Sequence, residues 1–180
     1  MEASEHKSVW LFDPVHTKIR FETAYLLITS VSGWFTEFAG TVITSSDNFD
    51  ESQIQFTIYT NSIYTGNSER DNHLRSPDFF DVEKFPTLSF KSPAIHTTGS
   101  MLNAVGELKI KDVTETIEFQ IKYRGSTRDP MGNLKAGFEM NTTLNRQDFN
   151  INWNQVFDNA GILLSDEVRI FCDVQLLKVS

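Results

Sequence analysis

The sequence has little of what marks several common classes of protein. Its 180 residues include a single cysteine, Cys172, so no internal disulfide can form. It has no Gly-rich phosphate loop, no paired cysteines and no His-x-x-x-His spacing, which are the usual signatures of nucleotide and metal sites. No Ser or Cys lies in a nucleophile signature. We therefore expect no cofactor, no metal and no catalytic residue, and the sequence favours a protein that is not an enzyme.

The charge balance disfavours nucleic acid as a partner, and the apolar runs argue against a membrane span. Sixteen basic against 24 acidic residues give a net charge of −8, which disfavours contact with nucleic acid phosphates. The apolar runs are far shorter than the roughly 20 residues that a membrane-spanning helix needs.

Residues 1–9 are polar and lack a basic segment followed by an apolar one. The expected location is the cytoplasm, or the periplasm if an N-terminal signal has been removed.

Aromatic residues and strict alternation of apolar and polar residues are abundant. Fifteen Phe, four Tyr and three Trp favour strands. In residues 115–123, Ile117, Phe119 and Ile121 share one face, which is the period of a half-buried strand. The alternation recurs in seven further segments, whose apolar faces are Val15-Thr17-Ile19-Phe21, Trp34-Thr36-Phe38-Gly40-Val42, Ile54-Phe56-Ile58, Leu88-Phe90, Ala104-Gly106-Leu108-Ile110, Ala136-Phe138-Met140-Thr142-Leu144 and Val168-Ile170-Cys172-Val174-Leu176.

These segments predict one all-β domain over residues 1–180. Turn-forming residues lie between them, so neighbouring strands are expected to be antiparallel. About eight such strands can bury their apolar faces together by closing into a barrel, and a sandwich is the rival arrangement. Residues 67–81 and 155–166 break the alternation and predict short helical excursions over a barrel mouth.

The inward faces predict either a filled core or a lumen for one ligand, because a barrel of this size can be either. The small residues Ala104, Gly106 and Ala136 at two strand starts favour room at one end of the barrel. If the lumen is open, its lining is predicted to include Phe38, Phe56, Phe90, Leu108, Phe119, Phe138, Met140 and Ile170.

Three polar side chains are candidates for meeting a ligand head group at the mouth: His16, His73 and Arg75. For His16 the alternative is a surface histidine that hydrogen-bonds a nearby loop. For residues 70–81, where charges of both signs alternate with apolar residues, the favoured interpretation is a structural lid held by ion pairs.

Taken in order, several motifs resemble those of the YceI-like family of lipocalin-like polyisoprenoid-binding proteins. They are Trp10-x-Phe12-Asp13-x-x-His16-Thr17-x-Ile19-x-Phe21, Gly33-x-Phe35-x-x-Phe38-x-Gly40, Arg70-Asp71-x-His73-Leu74-Arg75-Ser76-x-Asp78-Phe79-Phe80-Asp81, Phe85-Pro86-Thr87-x-x-Phe90-x-Ser92, Gly106-x-Leu108-x-Ile110-x-x-Val113-Thr114 and Leu144-Asn145-Arg146-x-Asp148-Phe149. The resemblance implies a barrel whose apolar lumen takes a long isoprenoid or related lipid. Asn150 stands where the family often has Gly, and Asn also tolerates left-handed geometry, so the turn is expected to persist.

The resulting hypothesis is a protein that binds a long-chain apolar ligand for transport, storage or sequestration. One alternative is an enzyme acting on a lipid-like substrate, with His16 or His73 as general base. The other is an interaction module with a filled core, which could form a homodimer.

Overall fold

Seven of the eight alternating segments contribute strands to the wall of a closed antiparallel β-barrel, and the segment that contains Ile19 and Phe21 extends the sheet beside it. The computed structural model describes residues 7–157 and 161–180. Its elements, in chain order, are β1 (Ser8–Phe12), β2 (Lys18–Tyr25), β3 (Thr29–Phe35), β4 (Phe38–Thr44), β5 (Gln53–Tyr59), a 3-10 turn (Thr60–Ser62), β6 (Ile63–Tyr64), α1 (Ser68–Arg75), β7 (Thr87–Ser92), β8 (Ile95–Thr98), β9 (Met101–Ile110), β10 (Val113–Arg128), β11 (Leu134–Asn145), a second 3-10 turn (Arg146–Phe149), β12 (Val156–Phe157), β13 (Gly161–Ile162) and β14 (Leu164–Lys178).

Eight strands close the barrel in the order β1, β4, β5, β7, β9, β10, β11 and β14, and β14 pairs again with β1. The strands β2 and β3 continue the sheet along β14, and β6 pairs with β3. Closure leaves no exposed edge between first and last strand, which confirms the predicted barrel over the rival sandwich.

Two of the predicted strands are each broken by a bend that changes which residues point inward. Between β3 and β4 the inward parity switches at residues 36–37, so that Phe35 is buried whereas Trp34 is 37 % exposed. The single alternation predicted from Trp34 to Val42 was therefore wrong for Trp34. Likewise Val15 lies in a turn and is 80 % exposed, because the Asp13 carboxylate accepts a hydrogen bond from its N–H and bends the chain.

Of the two predicted helical excursions, one is confirmed. Asn67 caps α1 by accepting a hydrogen bond from the Arg70 N–H, and the helix ends two residues before Pro77. The helix predicted in residues 155–166 was wrong where the structure describes them, because β12 and β13 pair there and β14 begins at Leu164. Val, Phe and Ile in this stretch favour strands. Residues 158–160 of that prediction lie outside the described residues.

The two ends of the barrel differ. At the end that holds the β10–β11 turn, here called the lower end, Phe49 is 2 % exposed, and its ring centroid lies 5.1 Å from that of Trp10 and 4.9 Å from that of Phe138. The upper end is where β2 and β11 end and β14 begins. It is covered by α1 and the turn after it, with Phe80 packed edge-on against Phe35 at 5.7 Å.

Candidate functional site

A cavity occupies the barrel interior between these two ends. Its volume is about 270 Å³ and its surface is wholly apolar. Seven of the eight residues predicted to line a lumen do so: Phe56, Phe90, Leu108, Phe119, Phe138, Met140 and Ile170. Their contact with a ligand stays a prediction.

Side chains on β11 and β14 indicate that the interior is open rather than filled. Met140, Ile170 and Cys172 point inward from the middle of the wall, yet each is only half-buried. Strands on both sides cover them from outside solvent, so the surface they retain faces the cavity. Burial also raises the pKa of Cys172 to about 12, which fits a thiol deep in apolar surroundings.

Phe38 differs from the prediction, since it does not line the cavity. It shares the inward parity of β4, but its ring packs behind Phe56, with the centroids 5.9 Å apart. Phe56 in turn lies close over Gly40, where an added Cβ would come within 2.7 Å of the ring. Phe38 therefore contacts the lining residue Phe56 and not the cavity itself.

The predicted room beside the small inward residues is taken up by aromatic rings. A Cβ added at Gly106 would meet the Phe90 ring at 2.8 Å and the Lys91 carbonyl oxygen at 2.2 Å. Ala104 and Ala136 are fully buried and form no part of the cavity lining. The prediction of space at these positions was therefore wrong, because small residues here admit neighbouring rings and backbone.

His16 lies outside the cavity, on the bend between β1 and β2. Its Nδ1 is 2.9 Å from the Asp13 carboxylate, and the side chain is 56 % exposed. The same carboxylate accepts hydrogen bonds from Lys135 Nζ at 3.0 Å and Gln175 Nε2 at 2.8 Å. Desolvation opposes the charged form of Asp13, but the bonds from His16, Lys135 and Gln175 outweigh it and hold its pKa well below the usual range. The cluster fastens the bend to β11 and β14.

Arg70 and Asp71 show how α1 is held over the upper end. The Asp71 carboxylate, which is buried, accepts hydrogen bonds from the Thr65 N–H at 2.9 Å and the Thr65 hydroxyl at 2.5 Å. Arg70 donates from Nε to the same hydroxyl and from a terminal nitrogen to the Thr65 carbonyl. These bonds make residues 65–75 one unit.

Arg75 also fastens α1 to the barrel. It is not part of the cavity lining. It donates to the Asn61 carbonyl at 3.0 Å and to the Ile63 carbonyl at 2.8 Å. The structure thus agrees with a lid, but hydrogen bonds to the backbone and Asp71 hold it. Within the described residues 67–81, the ion pair present joins His73 and Asp78. A head-group role for Arg75 stays a prediction without a contact to the cavity.

His73 belongs to an aromatic group on the outer side of the lid. Its ring stands edge-on to Trp153 at 4.7 Å and to Phe79 at 5.1 Å, and Nε2 lies 2.8 Å from Asp78. Phe79 lines the cavity, whereas His73 does not. His73 therefore lies one side chain away from the ligand space, separated from it by Phe79.

Sequence reasoning missed most of the cover of the upper end. The lining side chains contributed by the lid, by the segment that follows β11 and by the first residue of β14 are Leu74, Phe79, Phe80, Phe149, Ile151 and Leu164. They lie in a short helix, in loops or turns, or at a strand end, where no alternation marks an inward face. Their apolar character within otherwise polar loops is the signal that could have found them.

Arg146 fixes this cover to the barrel. The residue is 5 % exposed, and its guanidinium donates to the carbonyls of Ile151 at 2.7 Å and Trp153 at 2.8 Å, and from Nε to that of Ser165 at 2.9 Å. Burial lowers the pKa of Arg146 from its usual range, and Asp166 partly offsets this. The turn that follows ends at Asn150, whose φ of 57° confirms the expected left-handed residue.

One group of metal-ligating side chains lies outside the cavity. Asp50, Glu51 and His96 come together at the lower end, where the His96 Nδ1 is 3.0 Å from the Glu51 carboxylate. Both members of that pair are largely exposed, and the Asp50 carboxylate already accepts a hydrogen bond from the Thr97 N–H. The hydrogen bonds account for the arrangement as a loop fastening.

A closed antiparallel barrel around a wholly apolar cavity defines a lipocalin-like protein. The model of the YceI-like domain matches residues 10–176, so the chain belongs to the YceI-like family. Within the described residues, no helix is long and apolar enough to cross a membrane.

Relatives of known sequence or structure agree with this assignment. A UPF0312 protein of Staphylococcus aureus (strain MSSA476) is 32 % identical over 159 residues, which are 88 % of this chain and 91 % of that protein. The fold is similar to that of BcnA from Burkholderia cenocepacia, with a TM-score of 0.79 and 22 % identity over 91 % of this chain and 98 % of that one. It is also similar to a polyisoprenoid-binding domain from Saccharophagus degradans, with a TM-score of 0.70 and 12 % identity over 94 % and 98 % of the two chains.

Proposed function

We propose that the barrel binds a long-chain apolar ligand, a polyisoprenoid or a related lipid, and acts in its transport, storage or sequestration. The observation that carries the proposal is the internal cavity of about 270 Å³ with a wholly apolar surface. An unfilled apolar space of this size stabilises an apolar guest better than it does water, because water there finds no hydrogen-bond partner.

The size of the expected affinity is compatible with a carrier. At about 0.3 kcal/mol per heavy atom, every ten carbon atoms taken into the cavity contribute about 3 kcal/mol. If the cavity widened to enclose a chain of about 20 carbons, the dissociation constant would be in the range of tens of micromolar, and about 30 enclosed carbons would give sub-micromolar binding. Since the cavity surface has no polar atom, the polar end of an amphiphile would lie at the upper end, beside the lid.

Binding explains the site better than catalysis does. His16 and His73, the two candidates for a general base, both lie outside the cavity lining and are hydrogen-bonded to carboxylates on the surface. The remaining titratable group of interest, Cys172, has a raised pKa and is therefore a poor nucleophile.

The test compares two adjacent threonines on β11. Thr142 lines the cavity, whereas its neighbour Thr143 is exposed on the outer face. Thr142→Trp fills the cavity and should weaken binding of an apolar fluorescent probe, N-phenyl-1-naphthylamine, at least tenfold, while Thr143→Trp should leave it unchanged. Organic extraction and native mass spectrometry of the purified wild-type protein should show a co-purifying lipid. Protein that is consistently empty and binds no probe would contradict the proposal.

A further inference from the structure

The turn between β2 and β3 exposes a group of large apolar side chains that nothing else in the fold uses. In this turn, here called the β2–β3 tip and defined as residues 25–28, Leu27 is 71 % exposed and Ile28 is 80 % exposed. Tyr25 and Leu26 are exposed to 36 % and 40 %. Isolated exposed apolar residues are ordinary, but four consecutive ones on a projecting turn are a feature that favours a binding surface.

The backbone of the tip makes this composition harder to explain by folding alone. Leu26 and Leu27 have φ of 53° and 60°, and the Ile28 N–H donates to the Tyr25 carbonyl at 3.3 Å. Turns with two residues at positive φ ordinarily use Asn and Gly, which adopt this geometry more easily than a leucine does. Two leucines at these positions therefore destabilise the turn and lower the solubility of the protein. A binding role for their side chains outside the barrel would explain why they are present.

The tip and the strand residues next to it carry no charged side chain. Residues 23–36 contain no Asp, Glu, Lys, Arg or His, although 22 % of the whole chain is charged and a stretch of this length would carry about three charges. The carboxylate nearest to the tip in sequence, that of Glu22, is paired with Arg20 and Arg169. A segment without charged side chains meets no desolvation penalty from its own ions when it enters an apolar phase.

The tip is also joined directly to the cavity. The Leu26 N–H donates to the Leu163 carbonyl at 2.8 Å, and the next residue, Leu164, lines the cavity. On the other side, Thr23 lies two residues before the tip and lines the cavity as well. The lining residues Leu74, Phe80 and Leu164 at this end keep some exposure, whereas Phe49 seals the lower end. The upper end is thus the more open of the two ends and the expected route for a ligand.

We propose that the β2–β3 tip inserts into the surface of a lipid bilayer, so that the upper end of the barrel takes its ligand from the membrane and returns it there. This proposal rests on the proposed function. A bilayer suits the surface better than a protein does, because four residues on a turn present much less than the roughly 800 Å² per partner of a stable protein interface. Leu and Ile side chains at the end of a turn, with Tyr beside them, are typical of interfacial insertion. The net charge of −8 indicates a zwitterionic rather than an anionic lipid surface.

The experiment is flotation of the full chain with phosphatidylcholine vesicles. The wild-type protein should float with the vesicles, and the double variant Leu27→Ser/Ile28→Ser should bind them at least tenfold more weakly. Met131→Ser is the matched control, because Met131 is 84 % exposed on the β10–β11 turn at the opposite end. It should bind vesicles as the wild type does. Replacing part of the phosphatidylcholine with phosphatidylglycerol should reduce binding of the wild-type protein.

Two outcomes would overturn the proposal: vesicle binding that is absent in the wild type, or binding that is equal in the wild type and the tip variant. If the tip variant instead abolishes a dimer in analytical ultracentrifugation and leaves vesicle binding unchanged, the occupant is a second copy of the chain. The probe titration separates this proposal from the proposed function. The tip variant should bind N-phenyl-1-naphthylamine as the wild type does. If flotation depends on the tip but the wild-type protein binds no probe, the proposed lipid-binding cavity is rejected and the membrane proposal is not.

Discussion

Phe49 closes the lower end of the barrel by packing edge-on against Phe138, with the ring planes at 87°. Phe49→Ala should lower the free energy of unfolding by about 3 to 5 kcal/mol, because it removes a fully buried ring and leaves a space beside the cavity. It should also speed release of a bound apolar probe by opening a second exit. Urea unfolding and stopped-flow release measure the two effects. Phe171→Ala, on the outer face under Arg20, should change stability by about 1 kcal/mol and leave release unchanged.

Arg146 is expected to be a large contributor to stability among the charged residues. Arg146→Met leaves three buried carbonyl oxygens without their donor and should cost about 3 kcal/mol or more. Arg146→Lys should recover only part of this, because an ammonium group lacks the planar fork of donors. Denaturant titration checks both variants. Arg169→Met, at an exposed arginine paired with Glu22, should cost less than about 1 kcal/mol, and an equal loss in the two methionine variants would contradict this assignment.

Asp71 should control how firmly the lid is attached. Asp71→Ala removes the acceptor for the Thr65 N–H and hydroxyl and leaves Arg70 with fewer fixed partners, so α1 should exchange its amide hydrogens faster. Ligand exchange through the upper end should accelerate with it. Hydrogen exchange by mass spectrometry over residues 65–81 is the measurement. Asp78→Ala, at an exposed carboxylate beside His73, serves as the control and should leave exchange in α1 close to that of the wild type.

The lowered pKa of Asp13 predicts that the protein loses stability in acid. Its pKa is lower in the folded protein than its ordinary value of 3.8, so its charged form stabilises the fold above that value. This contribution is lost as the pH falls below 3.8 through the folded-state pKa. Asp13→Asn should therefore destabilise the protein by about 2 kcal/mol at pH 7, and the difference from the wild type should narrow below pH 4. Thermal unfolding across pH 2 to 7 tests this, with Asp47→Asn at an exposed position as control; a pH-independent difference would count against it.

Cys172 offers a direct probe of the cavity, because it is the single cysteine and its side chain faces the lumen. With its pKa raised to about 12, it should react with iodoacetamide at neutral pH far more slowly than a free thiol does. A bound lipid should slow the reaction further, and urea should abolish the protection. Met131→Cys in a Cys172→Ser background provides an exposed thiol for comparison. Rapid modification of native, lipid-loaded protein would mean that Cys172 does not face the ligand.

The residues on long strands were predictable, and those in loops were not. Met140 and Ile170 follow an alternation of period two that leaves no doubt about their face, and both line the cavity. Phe79, Phe80 and Ile151 have no such pattern around them, since their side chains turn inward only because hydrogen bonds to Thr65 and Arg146 place their segments over the barrel. His16, His73 and Arg75 have the chemistry of binding residues, but their partners in space are carboxylates and backbone carbonyls.

What the sequence determined by itself is most of the wall: the antiparallel pairing of neighbouring strands and their apolar inner face, because each depends on neighbours one or two residues apart or on short connections. It did not indicate β1, which completes the barrel by pairing with β4 and β14. Tertiary structure alone decided whether the inward side chains leave a cavity. The small side chains at Gly106 and Ala104 predicted free space, but a ring and neighbouring strands occupy these positions. The cavity lies instead among large side chains that cannot meet across the barrel. Whether opposing side chains touch depends on the diameter of the closed wall and on the bends at residues 13–17 and 36–37, which no local pattern specifies.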